Sequence, residues 1–132
     1  MTTKIFIVED HQMMQRILHL FISRMADFEI CGSATDADQA LAALPDALPD
    51  LVLIDMSLPR INGAELVQLI RARWPELPCV LLSGHSEAKY VQEAMAAGAR
   101  GYIVKGKPAE LEPALQQISE GAFYLSAGLE KP

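Results

Sequence analysis

The sequence predicts an α/β protein built on a parallel sheet of five strands, with helices covering both faces. Apolar segments of strand length alternate with amphipathic segments of helix length along the 132 residues, and this alternation favours a parallel sheet. Three of the strand segments are almost continuously apolar, as expected for strands that are buried on both faces.

Five segments have the composition of strands and end at polar or turn-forming residues. The first, third and fourth segments are the most apolar, which favours the centre of the sheet for them. The predicted strands cover Ile5–Val8, Glu29–Ala34, Leu51–Asp55, Cys79–Ser83 and Gly101–Lys105.

A helix is predicted after each strand, and the first three are marked by apolar spacing or by capping residues. The second helix should begin near Asp36, with Gln39 as its partner in a possible capping box. The third should begin at Asn62, with Glu65 as its partner. An i, i+3, i+4 stripe marks the first helix and consists of Met14, Ile17, Leu18, Phe21, Ile22 and Met25.

Turn-forming residues delimit the fourth and fifth helices. We expect Ser86 to cap the fourth helix and Gly98 to end it. Pro108 suits the first turn of the fifth helix, where a missing N–H costs nothing. The apolar face of this helix consists of Leu111, Leu115 and Ile118.

The connections between the strands also predict their order in the sheet. Right-handed crossovers favour a doubly wound, flavodoxin-like (βα)5 arrangement with strand order 2-1-3-4-5. Cys31 and Cys79 then lie on strands three places apart, which is roughly 14 Å and too far for a disulfide. We therefore interpret both as small core residues of a reduced, cytoplasmic protein.

Charge and hydropathy argue against two classes of partner. The net charge of −6 is unsuited to a nucleic-acid surface, which requires a basic patch. No apolar stretch is long enough to span a bilayer, so we expect no membrane association. The first residues, 1–4, run directly into a strand, so no signal peptide is expected.

Carboxylates follow two strands that should be neighbours in the sheet. Glu9 and Asp10 come after the first strand, and Asp55 ends the third. Ligands of such sheets bind beyond the carboxyl ends of the strands, at this switch point between strands 1 and 3. Three negative charges at one edge would repel one another unless they hold a divalent cation. The sequence therefore predicts a protein that works on phosphate with magnesium. Ser83 and Lys105 end the fourth and fifth strands and should lie at the same edge.

These strand-end residues closely resemble those of the receiver domain of two-component response regulators. The resemblance covers about residues 4–120, nearly the whole chain, and matched positions at successive strand ends make it specific. It rests on Glu9-Asp10-His11, Asp55 with Pro59 and Gly63, Ser83-Gly84, Ala97-Gly98-Ala99 and Tyr102-Ile103-Val104-Lys105.

The resemblance implies that Asp55 accepts a phosphoryl group from a sensor histidine kinase or a phosphotransfer protein. It further implies that Asp10, Asp55 and the carbonyl oxygen of Ser57 bind Mg²⁺ directly, while Glu9 acts mostly through water. A carboxylate is a poor nucleophile toward an anionic donor unless charge is neutralised, which is why the chemistry needs the cation.

The resemblance also implies that three residues relay the phosphorylation of Asp55 to an output partner. Lys105 would pair with one phosphoryl oxygen, Ser83 would bond to another, and the ring of Tyr102 would follow Ser83. The output would be transcriptional regulation through a partner, and a homodimer is one association that the resemblance allows. No enzymatic activity is expected beyond phosphoryl acceptance and slow self-dephosphorylation.

Simpler interpretations exist for these residues. Asp55 could be a plain turn residue at the end of a strand, but its spacing to Pro59 and Gly63 argues against this. Glu9 and Asp10 could merely charge the start of the first helix, worth up to about 1–2 kcal/mol. Ser83 could cap the fourth helix, and Lys105 could be a solvated strand-end lysine. Tyr102 could be ordinary strand packing.

Three other functions are compatible with the same fold. An aspartyl-nucleophile phosphatase would need a second aspartate two residues after the nucleophile, where Ser57 stands. A flavin-binding electron carrier would need a phosphate loop after the first strand, where Glu9 and Asp10 would repel phosphate. A non-phosphorylated protein-interaction module would be expected to have lost one of the key positions.

The end of the chain suggests a branch of the family. Lys105 is followed by Gly106-Lys107-Pro108 rather than directly by proline, so no cis bond is expected there. This pattern, with residues 120–126, resembles the branch that joins a receiver to a DNA-binding helix-turn-helix of the NarL/LuxR type. We therefore predict a receiver domain over residues 1–120 and a linker or tail over 121–132. The chain is either a stand-alone receiver or, as we favour, a receiver cut from a longer regulator. In the second case DNA would be bound only through an output domain outside this chain.

Overall fold

The computed structural model describes residues 2–126, which form six strands and five helices in strict alternation until the last strand. The strands are β1 Thr3–Val8, β2 Phe28–Ala34, β3 Leu51–Asp55, β4 Cys79–Ser83, β5 Gly101–Val104 and β6 Tyr124–Leu125. The helices are α1 Gln12–Ser23, α2 Ala37–Ala47, α3 Gly63–Arg73, α4 Ala88–Ala97 and α5 Pro108–Ser119.

The sheet has the predicted order with one strand added. Its six strands are arranged β2-β1-β3-β4-β5-β6, and every neighbouring pair is parallel. The predicted α/β fold and the order 2-1-3-4-5 are therefore confirmed. The extra strand β6 has only two residues, too few to produce a periodic pattern in the sequence.

Helices pack on both faces of the sheet because alternate strand residues point to opposite sides. One core joins residues such as Val52 and Ile54 of β3 to the buried faces of α2, α3 and α4, and includes Phe6 and Tyr102. The other core joins Leu53 and its neighbours to α1 and α5. Burial on both faces explains why β1, β3 and β4 read as continuous apolar runs.

Two of the predicted helix starts form as local sequence indicates. The Asn62 side chain accepts a hydrogen bond from the Glu65 amide at 2.9 Å, and the Glu65 carboxylate accepts one from the Asn62 amide at 3.1 Å. At α2, only one of the two hydrogen bonds of the predicted capping box forms. The Asp36 carboxylate accepts from the Gln39 amide, but the Gln39 side chain accepts from the Thr35 amide instead of that of Asp36.

The prediction for the start of α4 was wrong. The residue that precedes α4 is Glu87, and no side-chain capping bond forms there, so Ser86 is not the cap. The predictions for Gly98 and Pro108 are confirmed. Gly98 ends α4 in the left-handed region with φ 95°, and Pro108 is the first residue of α5.

Two further features of the chain concern cysteine chemistry and membranes. Cys31 and Cys79 are both free thiols, as predicted, and burial raises the pKa of Cys79 to about 12.

Within residues 2–126, no helix combines the length and the apolar character that crossing a membrane requires.

The predicted boundary at residue 120 lies at the end of α5. Beyond this boundary, β6 pairs with β5: Gly101 is paired with Tyr124, and Tyr102 is paired with Leu125. The role of residues 121–132 as a linker or tail stays a prediction, and residues 127–132 lie outside the described part of the chain.

A close approach at Gly63 fixes the loop that follows Asp55. A Cβ atom on Gly63 would lie 2.5 Å from the Asp55 carbonyl oxygen and 2.8 Å from the Met56 Cα, both of which are backbone atoms. The Gly63 amide also donates to the Met56 carbonyl at 2.8 Å. Only glycine fits this approach without moving the loop.

We therefore expect Gly63→Ala to lower the free energy of unfolding by about 1–3 kcal/mol, the usual cost of forcing an extra carbon into a packed site. The matched control is Gly84→Ala, because a Cβ there meets no atom within 4 Å. Urea denaturation of both variants measures the difference. Equal stability of the two variants would contradict the role given to Gly63.

Candidate functional site

The carboxyl ends of β1, β3, β4 and β5 bring the predicted site residues to one edge of the sheet. Val8 is paired with Ile54, so Glu9 and Asp55 follow at the same level. Ser83 is paired with Val104, and the Lys105 amide donates to the Ser83 carbonyl at 2.7 Å. The parallel register therefore places residues from four strands side by side.

The centre of the site is a buried ion triad of Glu9, Asp55 and Lys105. The side chains of Glu9 and Asp55 are each only 1% exposed, and that of Lys105 is 23% exposed. The lysine Nζ lies 3.3 Å from Glu9 Oε1 and 3.3 Å from Asp55 Oδ1. Lys105 is thus not the solvated strand-end lysine of the simpler interpretation.

One lysine does not balance the carboxylates around it. Burial, reinforced by the nearby Asp55 carboxyl, raises the pKa of Glu9 to about 7. Asp10 lies beside the pair with 28% of its side chain exposed and adds a further carboxylate. The edge therefore carries an excess of acidic groups in a partly desolvated position.

The oxygen atoms of the cluster have the character of cation ligands. Among residues 2–126, the buried side-chain atoms that make no hydrogen bond are Glu9 Oε1, Asp10 Oδ1 and Asp55 Oδ2. Ligand atoms of Glu9, Asp10, His11 and Asp55 all lie within 4.8 Å of one another. Hard divalent cations prefer carboxylate oxygens, so these residues fit Mg²⁺. At the start of α1, His11 makes no side-chain capping bond, but Glu9 Oε2 accepts a hydrogen bond from the His11 amide at 3.2 Å, so Glu9 also satisfies a backbone donor there.

His11, which the sequence analysis named only within the Glu9-Asp10-His11 motif, is also a member of this cluster. Its Nδ1 atom lies 3.2 Å from Asp10 Oδ1 and 3.4 Å from Glu9 Oε2. Gln15 was also missed, although its side-chain amide donates to the backbone carbonyls of Glu9 at 2.9 Å and Ala34 at 3.1 Å. The only signal for Gln15 was its position one turn into α1, facing the end of β1.

Ser57 belongs to the loop that orients Asp55. Its amide donates to Asp55 Oδ1 at 3.1 Å, while its own side chain is exposed. The predicted role of the Ser57 carbonyl as a metal ligand stays a prediction.

Ser83 and Tyr102 meet at His85. Ser83 is buried, and its Oγ accepts a hydrogen bond from the His85 amide at 3.0 Å. The Tyr102 ring is fully buried, and its hydroxyl donates to the His85 carbonyl at 2.7 Å. Burial raises the pKa of Tyr102, and the Ser83 hydroxyl partly offsets this. Ser83 therefore does not cap α4, and Tyr102 is both a core residue and a neighbour of Ser83.

The sequence matches a known protein family over most of its length. A family model described as the response regulator receiver domain matches residues 5–116. The chain belongs to this family.

Its relatives include regulators of the predicted NarL/LuxR type. The DNA-binding transcriptional activator DevR/DosR of Mycobacterium tuberculosis is 34% identical over 123 residues, which is 92% of this chain and 57% of that protein. The response regulator protein VraR of Staphylococcus aureus is 30% identical over 122 residues, covering 92% and 58% of the two chains. This chain thus spans less than two thirds of the length of these curated relatives.

A solved structure gives the same picture for the fold. A LuxR-family two-component response regulator from Aurantimonas sp. SI85-9A1 is 28% identical and superposes with a TM-score of 0.92, over 96% of this chain and 91% of that one. The receiver domain of RcsB from Salmonella enterica, solved with the phosphomimetic BeF3⁻, superposes with a TM-score of 0.90 at 19% identity, a likeness of fold.

The acidic cluster predicts that millimolar Mg²⁺ binds at this edge and shifts the amide resonances of residues 9, 10 and 55. Asp10→Asn should weaken binding roughly tenfold or more, because even partners outside the first ligand sphere are worth that much. The matched control is Asp46→Asn, an exposed aspartate on α2. Equal affinity of the two variants for Mg²⁺ would show that Asp10 is not a ligand.

Proposed function

We propose that this chain is a phosphorylation-dependent signalling switch in which Asp55 accepts a phosphoryl group from a histidine kinase or phosphotransfer protein. The observation that carries the proposal is the ion triad. A buried aspartate lies 3.3 Å from a lysine, beside two further acidic residues with oxygen atoms that accept no hydrogen bond. Membership of the receiver family supports it.

The chemistry follows from this arrangement. The Asp55 carboxylate forms a bond to phosphorus as the bond from phosphorus to the donor histidine nitrogen breaks, giving an aspartyl phosphate and a free imidazole. Lys105 stabilises the negative charge that gathers on the phosphoryl oxygens, and the Ser57 amide keeps the aspartate in one orientation.

Glu9, Asp10 and Asp55, with the Ser57 carbonyl, would hold Mg²⁺. When bound, Mg²⁺ offsets the negative charge of both the carboxylates and the incoming phosphoryl group. From the membership of the receiver family, we assign Glu9 an indirect role through water and Asp10 a direct one.

The relay proceeds through Ser83, Tyr102 and Lys105. A phosphoryl group on Asp55 offers new acceptors to Lys105 and to the Ser83 hydroxyl, and Ser83 shares His85 with Tyr102. A shift of Ser83 therefore changes the environment of the Tyr102 hydroxyl. The surface of α4, β5 and α5 is the region that this change reaches, and it is our proposed surface for homodimer formation or for docking of an output domain.

We also propose that the chain is no enzyme beyond phosphoryl acceptance and slow self-dephosphorylation. A phosphatase with an aspartyl nucleophile would need an acid near position 57, whereas the Ser57 side chain is exposed and its amide binds Asp55. The wider function is transcriptional regulation in the cytoplasm, with DNA bound through a domain outside this chain. The partial coverage of its DNA-binding relative supports this.

Asp55→Asn should abolish labelling when the protein is exposed to a small acyl-phosphate donor and Mg²⁺, because an amide nitrogen does not replace the carboxylate nucleophile. Intact-mass spectrometry detects the added phosphoryl group. Asp46→Asn serves as the control and should label like the unmodified chain. Full labelling of folded Asp55→Asn would exclude Asp55 as the acceptor.

The Ser83→Ala variant should still accept the phosphoryl group on Asp55 but should show a weaker structural response to it. We expect smaller changes in the amide resonances of α4 and β5 on addition of beryllofluoride and Mg²⁺, because the hydroxyl that contacts the His85 amide is lost. Ser23→Ala is the control, since this exposed hydroxyl bonds only within α1. Loss of labelling in folded Ser83→Ala would indicate a different role for Ser83.

A further inference from the structure

Ser126 joins the last described segment of the chain to the strand that delivers Lys105. It is a buried residue, 1% exposed, although it lies beyond the predicted domain boundary. Its hydroxyl accepts a hydrogen bond from the Val104 amide at 2.8 Å and donates to the Glu110 carboxylate of α5. Its amide donates to the Tyr102 carbonyl at 3.0 Å.

These contacts fall on the two β5 residues that matter for the switch. Tyr102 and Ser83 both form side-chain hydrogen bonds to the backbone of His85, and Val104 directly precedes Lys105. The Val104 N–H has a side-chain hydroxyl as its acceptor because the backbone pairing of β6 with β5 extends only to Tyr102 and Leu125. Ser126 thus fixes the end of β5 from one side, while the Ser83 carbonyl fixes the Lys105 amide from the other.

We propose that Ser126 is a positioning residue that holds the end of β5 so that the Lys105 ammonium group lies opposite Asp55. The inference rests on the proposed function of Asp55 and Lys105. It has a reciprocal consequence, since a coupling between two sites acts equally in both directions. A phosphoryl group that draws Lys105 toward itself changes the strength of the Ser126 contacts, and its effect so reaches the last described residue of the chain.

The structure also sets the direction of the effect. With Ser126 in place, Lys105 already lies 3.3 Å from Asp55, so the docked segment prepares the site for an anion on Asp55. Loss of the Ser126 hydroxyl should therefore weaken the binding of a phosphoryl mimic. It should do so without removing any group that touches the mimic.

The experiment measures the affinity of beryllofluoride with Mg²⁺ for the unmodified chain and for Ser126→Ala, by titration of amide resonances. We expect binding to the variant to weaken about fivefold or more, in line with usual coupling between sites. Ser126→Thr, which keeps a hydroxyl, should restore the affinity. Ser119→Ala is the matched control, because this exposed hydroxyl bonds only to the Gln116 carbonyl within its own helix.

A second readout separates positioning from simple stability. In the unmodified chain, the hydrogen-exchange rates of the Ser126 and Val104 amides should differ between the free and the beryllofluoride-bound state. The factor should equal the change in beryllofluoride affinity that Ser126→Ala causes. If Ser126→Ala does not fold, Glu110→Gln tests the same network, and we expect a smaller loss of affinity in the same direction.

Unchanged affinity in the folded variants would overturn the role of Ser126, whatever its effect on melting temperature. Equal exchange of the two amides in both states would do so as well. Failure of the proposed function looks different, because the unmodified chain itself would then bind no beryllofluoride.

Discussion

The site is built on the burial of two carboxylates, Glu9 and Asp55, with one lysine between them. Removing charges from water costs several kcal/mol per ion, and a buried pair recovers this only with good geometry and further partners. Here Lys105 lies 3.3 Å from both acids, but Glu9 Oε1, Asp55 Oδ2 and the neighbouring Asp10 Oδ1 accept no hydrogen bond. Such an edge is unfavourable for stability alone, but it is suited to binding a cation and an anion together.

The rest of the fold keeps this edge in place. Two hydrophobic cores hold the central strands from both faces, so the ends of β1, β3 and β5 cannot move apart freely. The loop after β3 is closed by the approach of Gly63 to the Asp55 backbone, and the capping box at Asn62 starts α3 directly after it. Function therefore resides in strand ends and short loops, while stability resides in the layers below them.

The switch elements differ from the scaffold in their contacts. The start of α4 has no side-chain cap, and the residues between β4 and α4 are mostly exposed. His85 in this loop is held by the Ser83 and Tyr102 side chains. A loop that is held by a few hydrogen bonds can adopt a second arrangement at low cost, which is what the proposed switch needs.

Much of this architecture could be predicted from the sequence because it depends on local patterns. Apolar runs locate the central strands, and the parallel fold then gathers their carboxyl ends, which brings Glu9, Asp55 and Lys105 together. The Asn62 capping box depends on four adjacent residues and was predicted correctly. The start of α4 was not, because the path of the chain after β4 is set by His85 and its tertiary contacts. Strand β6 and Ser126 were missed because they are defined by pairing with β5.

The most direct test of the central claim is to locate the phosphoryl group chemically. After exposure to a small acyl-phosphate donor and Mg²⁺, borohydride reduces an aspartyl phosphate to homoserine, and peptide mass mapping finds its position. The account predicts homoserine at position 55 alone. Conversion at position 9 or 10, or a stable phosphate on His11 or Ser57 with Asp55 unmodified, would contradict it.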